Sequence, residues 1–197
     1  MPNSNTPFGL RPIKHKSGAA YNGSVNPYYI PASYATALFI GDPVIKTGTA
    51  NTTAVSGGFA IGVLPEINKA TAGTTNRVTG IIVGFLPNPL NLGLIYNPAS
   101  TERVALVCDD PDVVFEAQID TAAAVTVGLN ANFVFAAGST ITGRSGTTID
   151  GTNAAVTVGF QTTLQRIVNR DDNEVGAFAK VEVKLNNHTE VNASTGI

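Results

Sequence analysis

The sequence predicts an all-β protein, a β-barrel or β-sandwich with an extended N-terminal arm and little helix. Three observations carry this. The chain of 197 residues holds 23 Thr, 18 Asn and 20 Gly. Thr favours strands, Asn and Gly favour turns, and all three are poor in helix interiors. Apolar residues come in short, often β-branched runs, bounded by Gly, Pro, Asn or Asp at roughly regular spacing, as in sandwiches and barrels. Finally, residues 177–185 alternate strictly. Ala177, Ala179, Val181, Val183 and Leu185 share one face, and Phe178, Lys180, Glu182 and Lys184 share the other, the period of a strand with one buried side.

The elements follow in order. Residues 1–23 read as an extended arm, because Pro2, Pro7 and Pro12 forbid regular helix and Gly9, Gly18 and Gly23 add freedom. Phe8, Leu10 and Ile13 in this arm are apolar and are expected to be exposed on an isolated chain, so they want a partner surface. Residues 24–190 read as a single β domain. Its candidate strands lie in runs at 28–30, 38–40, 44–46, 59–64, 78–86, 104–108, 113–119, 125–129, 133–135, 156–160, 164–168 and 177–185. Residues 191–197 read as a tail. The Ala-Ala-Val-Thr-Val-Gly of 123–128 returns at 154–159, two similar strands rather than a repeat array, which needs about three copies. Residues 122–124 offer one possible helical turn.

Composition excludes several classes. Charged residues are 13% of the chain and the net charge is −2, so the polar surface comes from uncharged side chains and a strongly basic nucleic-acid binder is ruled out. The N-terminus has no basic region followed by an apolar core, so no secretory signal is expected. The apolar stretch 81–96 is broken by Pro87 and Pro89 and is shorter than the ~20 residues that cross a bilayer. A soluble protein without membrane or nucleic-acid partners is expected. The lone Cys108 allows no internal disulfide.

A search for chemistry returns little. No phosphate-binding loop or nucleophile elbow is present. His15 stands in the arm and His188 near the C-terminus, neither on a rigid catalytic wall. Asp109, Asp110 and Asp112 with Glu116 form the densest acidic cluster; carboxylates in number can hold calcium or magnesium, but Asp-Asp-Pro-Asp is also an ordinary turn. Tyr28 and Tyr29 are the best candidate platform for a glycan. No catalytic residue, cofactor or metal is expected. Low charge suits a contact surface, since charges are depleted at interface cores.

Four segments resemble, in order, a family of tailed-bacteriophage capsid decoration (head cement) proteins. They are Asn5-Thr6-Pro7-Phe8-Gly9-Leu10-Arg11-Pro12, Gly41-Asp42-Pro43-Val44, the stretch from Val107 through Asp109-Asp110-Pro111-Asp112 to Phe115-Glu116, and the end from Ala177 to Leu185-Asn186-Asn187-His188. The resemblance implies a virion protein on the outer surface of the icosahedral head. It implies binding to the major capsid protein, bridging of capsomers and a homotrimer. Thr6, Pro7, Phe8, Gly9, Leu10, Arg11 and Ile13 are the candidate interface with the capsid or a neighbouring subunit, Arg11 as a fork for a carboxylate on that neighbour. The competing expectation is that Phe8 and Leu10 fold back as a cap on the chain's own barrel. Within virions the alternative reading is another minor structural protein of the head or tail; outside them, the alternatives are a small glycan-binding or adhesion module and a metal-assisted hydrolase.

Overall fold

A computed structural model describes residues 3–120 and 127–191. Every regular element in them is a strand: β1 (Arg11–His15), β2 (Asn26–Ile30), β3 (Pro43–Ala50), β4 (Pro65–Lys69), β5 (Gly80–Phe85), β6 (Arg103–Cys108), β7 (Val113–Gln118), β8 (Asn130–Ala131), β9 (Phe133–Val134), β10 (Thr148–Ile149), β11 (Thr162–Ile167) and β12 (Lys180–Leu185). The fold is all-β, as the composition and alternation predict.

Strands β2, β4, β3, β5 and β6 close into a barrel in that order. Closure comes from β6 returning antiparallel to β2, from Asn26↔Val107 to Ile30↔Arg103. Among the barrel strands the one parallel pairing joins β2 to β4 at Tyr29↔Glu66. Tyr28, Ile30, Val44, Ile67, Ile82 and Val107 pack inside, all buried.

The second body is the sheet β1-β7-β12-β11-β8. It also curls. Only Asn132 separates β8 from β9; β9 pairs with β10; and Ile149 of β10 bridges back to Ile119, just past β7. Phe115, Ile119, Phe133, Leu164, Val181 and Val183 fill its interior. Val78, Ile81 and Cys108 of the barrel side belong to the same apolar cluster, so one continuous core joins the two bodies. Within the barrel, β5 and β6 approach closely beneath this core: a methyl group on Gly80 would lie 2.4 Å from the Cys108 carbonyl oxygen.

The arm is where the structure departs from expectation. Residues 11–15 are β1, antiparallel to β7 from Arg11↔Glu116 to His15↔Val113, with an irregularity between Pro12 and Lys14. Leu10 is 2% exposed and belongs to the core, which corrects the expectation that it is exposed on an isolated chain. The physical reason is a crossing of two glycines. Gly9 (φ 74°) and Gly41 (φ 94°) pass so closely that a methyl on Gly9 would sit 2.6 Å from the Gly41 carbonyl oxygen. That same oxygen accepts the Leu10 N–H at 3.0 Å. Prolines that bar a helix do not bar an edge strand with a bulge.

Three expected strands are not regular strands, and of a fourth, 125–129, the described residues 127–129 turn, with Gly128 at φ 88°. Residues 38–40 make only isolated bridges, Leu38↔Asn97 and Ile40↔Arg144. Residues 59–64 turn, because Gly57, Gly58 and Gly62 all take positive φ. Residues 156–160 bend, with Val156 and Val158 85% and 89% exposed. The earlier copy of that pattern, 123–128, lies mostly outside the described residues, as do the possible helical turn at 122–124 and most of the tail. The last strand begins at Lys180 rather than Ala177, after Phe178 at φ 60°. Its alternation is as predicted: Ala179, Val181, Val183 and Leu185 are buried.

Candidate interaction surfaces

The candidate arm residues divide between the core and the surface. Gly9 and Leu10 are buried, Pro7, Phe8 and Ile13 are half-buried, and Thr6 and Arg11 are exposed. The Arg11 guanidinium pairs with Glu116 of its own chain and lies 5.6 Å from the centre of the Phe8 ring. The carboxylate expected on a neighbour is supplied within the fold.

The acidic turn is divided among separate partners. Asp109 accepts from Asn26 Nδ2 at 3.0 Å and from the Tyr28 hydroxyl at 2.8 Å. Asp110 lies 3.3 Å from His15 Nδ1 and caps the Asp112 N–H at 2.8 Å. Asp112 pairs with Lys184 Nζ at 3.0 Å, and that bond holds its carboxyl below the usual pKa. Glu116 is held by Arg11 and by Arg170 at 3.1 Å. Among the described residues no group of three or more His, Cys, Asp or Glu is placed to hold a metal ion.

Tyr28 and Tyr29 form no glycan platform: they are 4% and 5% exposed, with hydroxyls donating to Asp109 and Glu102. Burial beside Asp109 pushes the Tyr28 phenol above its ordinary pKa. Cys108 is buried, and desolvation pushes its thiol up to about 11. A thiol so shifted is unreactive at neutral pH.

What the fold does expose is apolar. One end of the barrel carries three neighbouring loops, at 51–64, 86–100 and 139–144. The first two meet where Gly57 contacts Leu86, and the last two meet where Gly143 abuts the Ile95 backbone. Residues 47–65, 78–101 and 121–143 contain no Asp, Glu, Lys or Arg, which leaves Arg144 as the one charged residue in the three loops. From these loops Ile61, Leu90, Leu92 and Ile141 project, 65%, 96%, 80% and 88% exposed.

The second loop is held in place by Arg103. Its Nε donates to the Leu86 carbonyl at 2.9 Å, one terminal nitrogen to Tyr96 O at 2.8 Å and the other to Leu94 O at 3.0 Å. The guanidinium also lies 4.9 Å from the centre of the Phe85 ring. It is 8% exposed, and burial lowers its pKa. A guanidinium stays charged at any ordinary pH. Asn88 Oδ1 caps the Leu90 N–H and Asn91 Oδ1 caps the Gly93 N–H, the side-chain turns that Asn forms readily. The leucines are therefore displayed on a braced loop rather than a floppy one.

Sequence reasoning met this stretch only as an apolar run too short for a membrane. The available signal was Pro87, Asn88, Pro89, Asn91 and Gly93 interleaved with Leu90 and Leu92: turn formers around large apolar residues.

No known protein family, curated protein or solved structure matches this chain.

Proposed function

We propose that this protein is a capsid decoration protein of a tailed bacteriophage. In this reading it sits on the outside of the icosahedral head, binds the major capsid protein, and bridges neighbouring capsomers as a trimer. The four ordered sequence motifs support the reading. The observation that carries it is the barrel end, where Arg144 is the one charged residue in the three loops and Leu90, Leu92 and Ile141 stand in solvent. Apolar side chains so exposed on braced loops mark a protein-binding surface. Each large one contributes about 1.5–3 kcal/mol when a partner covers it. Bracing reduces the ordering cost of association. A protein that binds the assembled shell and not its separated subunits stabilises the shell by mass action, and no catalysis is required.

The test is co-sedimentation with purified heads stripped of the protein. The wild-type chain is expected to pellet with heads and raise their disassembly temperature. A Leu90→Ser/Leu92→Ser chain is expected to stay in the supernatant while keeping its own melting temperature. Wild-type protein that fails to pellet with heads of its source phage overturns the reading.

A further inference from the structure

The outer face of the second sheet has the opposite chemistry. Strands β1, β7, β12 and β11 lie side by side. Their register sets Arg11 opposite Glu116, Glu116 opposite Glu182, and Glu182 opposite Arg166. Two carboxylates are thus direct neighbours at the centre of the sheet, an arrangement that destabilises strand pairing. Flanking cations offset it. Glu116 takes Arg11 and Arg170; Glu182 takes Lys14 at 2.7 Å and Arg166 at 3.1 Å. The depths differ. The Glu116 and Glu182 side chains are 5% and 12% exposed, whereas those of Arg11 and Arg166 are 52% and 65% exposed. The anions lie beneath and the guanidiniums above. These four strands carry five Lys or Arg against two Glu; Lys180 and Lys184 are paired with Asp172 and Asp112 of the flanking loops, so Arg11 and Arg166 are the most exposed cations of the strands.

We propose that this face docks an acidic segment of a partner protein, with carboxylates seated on Arg11 and Arg166. Charge complementarity is the first argument: the exposed groups at the two ends of the row are cations, and their attitude is fixed by the buried glutamates. Arg11 turns a terminal nitrogen to Glu116 and Arg166 turns its Nε to Glu182. A guanidinium has five N–H donors in a rigid fork, so each retains donors for a second carboxylate. Spacing is the second argument. Arg11 and Arg166 stand three strand spacings apart, about 14 Å. An extended peptide crossing the strands with Asp or Glu at positions i and i+4 spans about 13 Å. A nucleic-acid strand fits less well, because it carries a charge at every nucleotide and lays phosphates over Glu116 and Glu182. This surface is separate from the apolar barrel end, and its argument does not depend on the decoration reading.

The experiment uses the full chain and a fluorescein-labelled deca-glutamate peptide, followed by anisotropy at 20 and 300 mM NaCl. Binding is expected at the lower salt and lost at the higher. Arg11→Gln/Arg166→Gln is expected to weaken binding at least tenfold, and Leu90→Ser to leave it unchanged. Arg170 and Lys14 still hold the glutamates in the double variant; if it nonetheless fails to fold, Arg166→Gln alone is expected to weaken binding about threefold. The proposal is overturned if the wild-type chain ignores the peptide at 20 mM NaCl, if the folded variant binds as well as wild type, or if a DNA duplex of equal charge binds more tightly than the peptide.

Discussion

Replacing Arg103 by methionine keeps most of the side-chain volume and removes the charge and all five donors. Three carbonyls, those of Leu86, Leu94 and Tyr96, lose their partner together. A hydrogen bond to a charged group contributes about 1.5–3 kcal/mol net, so three at the low end give about 4–5 kcal/mol. Part of this is offset, because methionine is easier to desolvate than a guanidinium and the loop can loosen to let water reach the carbonyls. The expected net loss is about 2–4 kcal/mol. For a chain of this size 1 kcal/mol shifts Tm by about 2–4 °C, so a fall of about 5–15 °C is expected in a thermal melt. The loss is also local. Besides these three bonds, residues 86–97 are joined to the rest by the Leu86 N–H to Val104 O bond, the Leu38–Asn97 bridge, the Phe39–Tyr96 stack and the approach of Gly143 to Ile95, so Arg103 is the one side chain that ties three of their carbonyls at once. Amide exchange there is expected to accelerate by at least tenfold, while amides of β7 and β12 exchange as before. Unchanged Tm together with unchanged exchange at 86–97 would refute the view that Arg103 braces the apolar loop.

Other substitutions test other joints. Asp42 is fully buried and receives the Phe39 N–H at 2.9 Å, Ser145 Oγ at 2.6 Å and Lys69 Nζ at 2.9 Å. Asp42→Ala strands a largely buried ammonium and is expected to cost about 3–5 kcal/mol by denaturant titration. Adding Lys69→Met is expected to restore part of that, and no recovery at all argues against the pair as the cause. His188 is 2% exposed, and its Nδ1 accepts the Glu190 N–H at 3.1 Å. Desolvation lowers its pKa by more than Glu190 and Asp109 raise it. The folded state therefore prefers neutral His188. Its contribution is complete above the unfolded value near 6.5 and is lost as pH falls from there through the lower folded value. His188→Asn should flatten that part of a Tm–pH curve between pH 7.5 and 5; a curve identical to wild type tells against burial of a neutral ring. Deleting residues 1–13 removes Leu10 from the core and Arg11, Pro12 and Ile13 of β1 from the edge of β7. Leu10 alone accounts for about 2–3 kcal/mol, so a Tm decrease above about 5 °C is expected from calorimetry, and an unaltered Tm contradicts the seating of the arm.

What the sequence determined by itself is what depends on neighbours along the chain. Period two in 177–185 requires one buried face whatever it packs on, and Ala179, Val181, Val183 and Leu185 are buried. The wealth of Thr, Asn and Gly disfavours helix through local propensity alone, and among the described residues every regular element is a strand. Asp-Asp-Pro-Asp read as a turn because those side chains cap their own backbone, and Asp110 does so. What only the tertiary structure decided is where each local pattern ends up. Val156, Thr157 and Val158 have the composition of a strand, yet Gly159 takes φ 93° and the valines face solvent. Residues 11–15 have the composition of a loose arm, yet the free edge of β7, a hundred residues away, makes them a strand. Arg11 finds Glu116 by the same route. Strand pairing and burial are set by partners distant in sequence, and a residue's own neighbours carry no record of which edge is vacant or which loop is left uncovered.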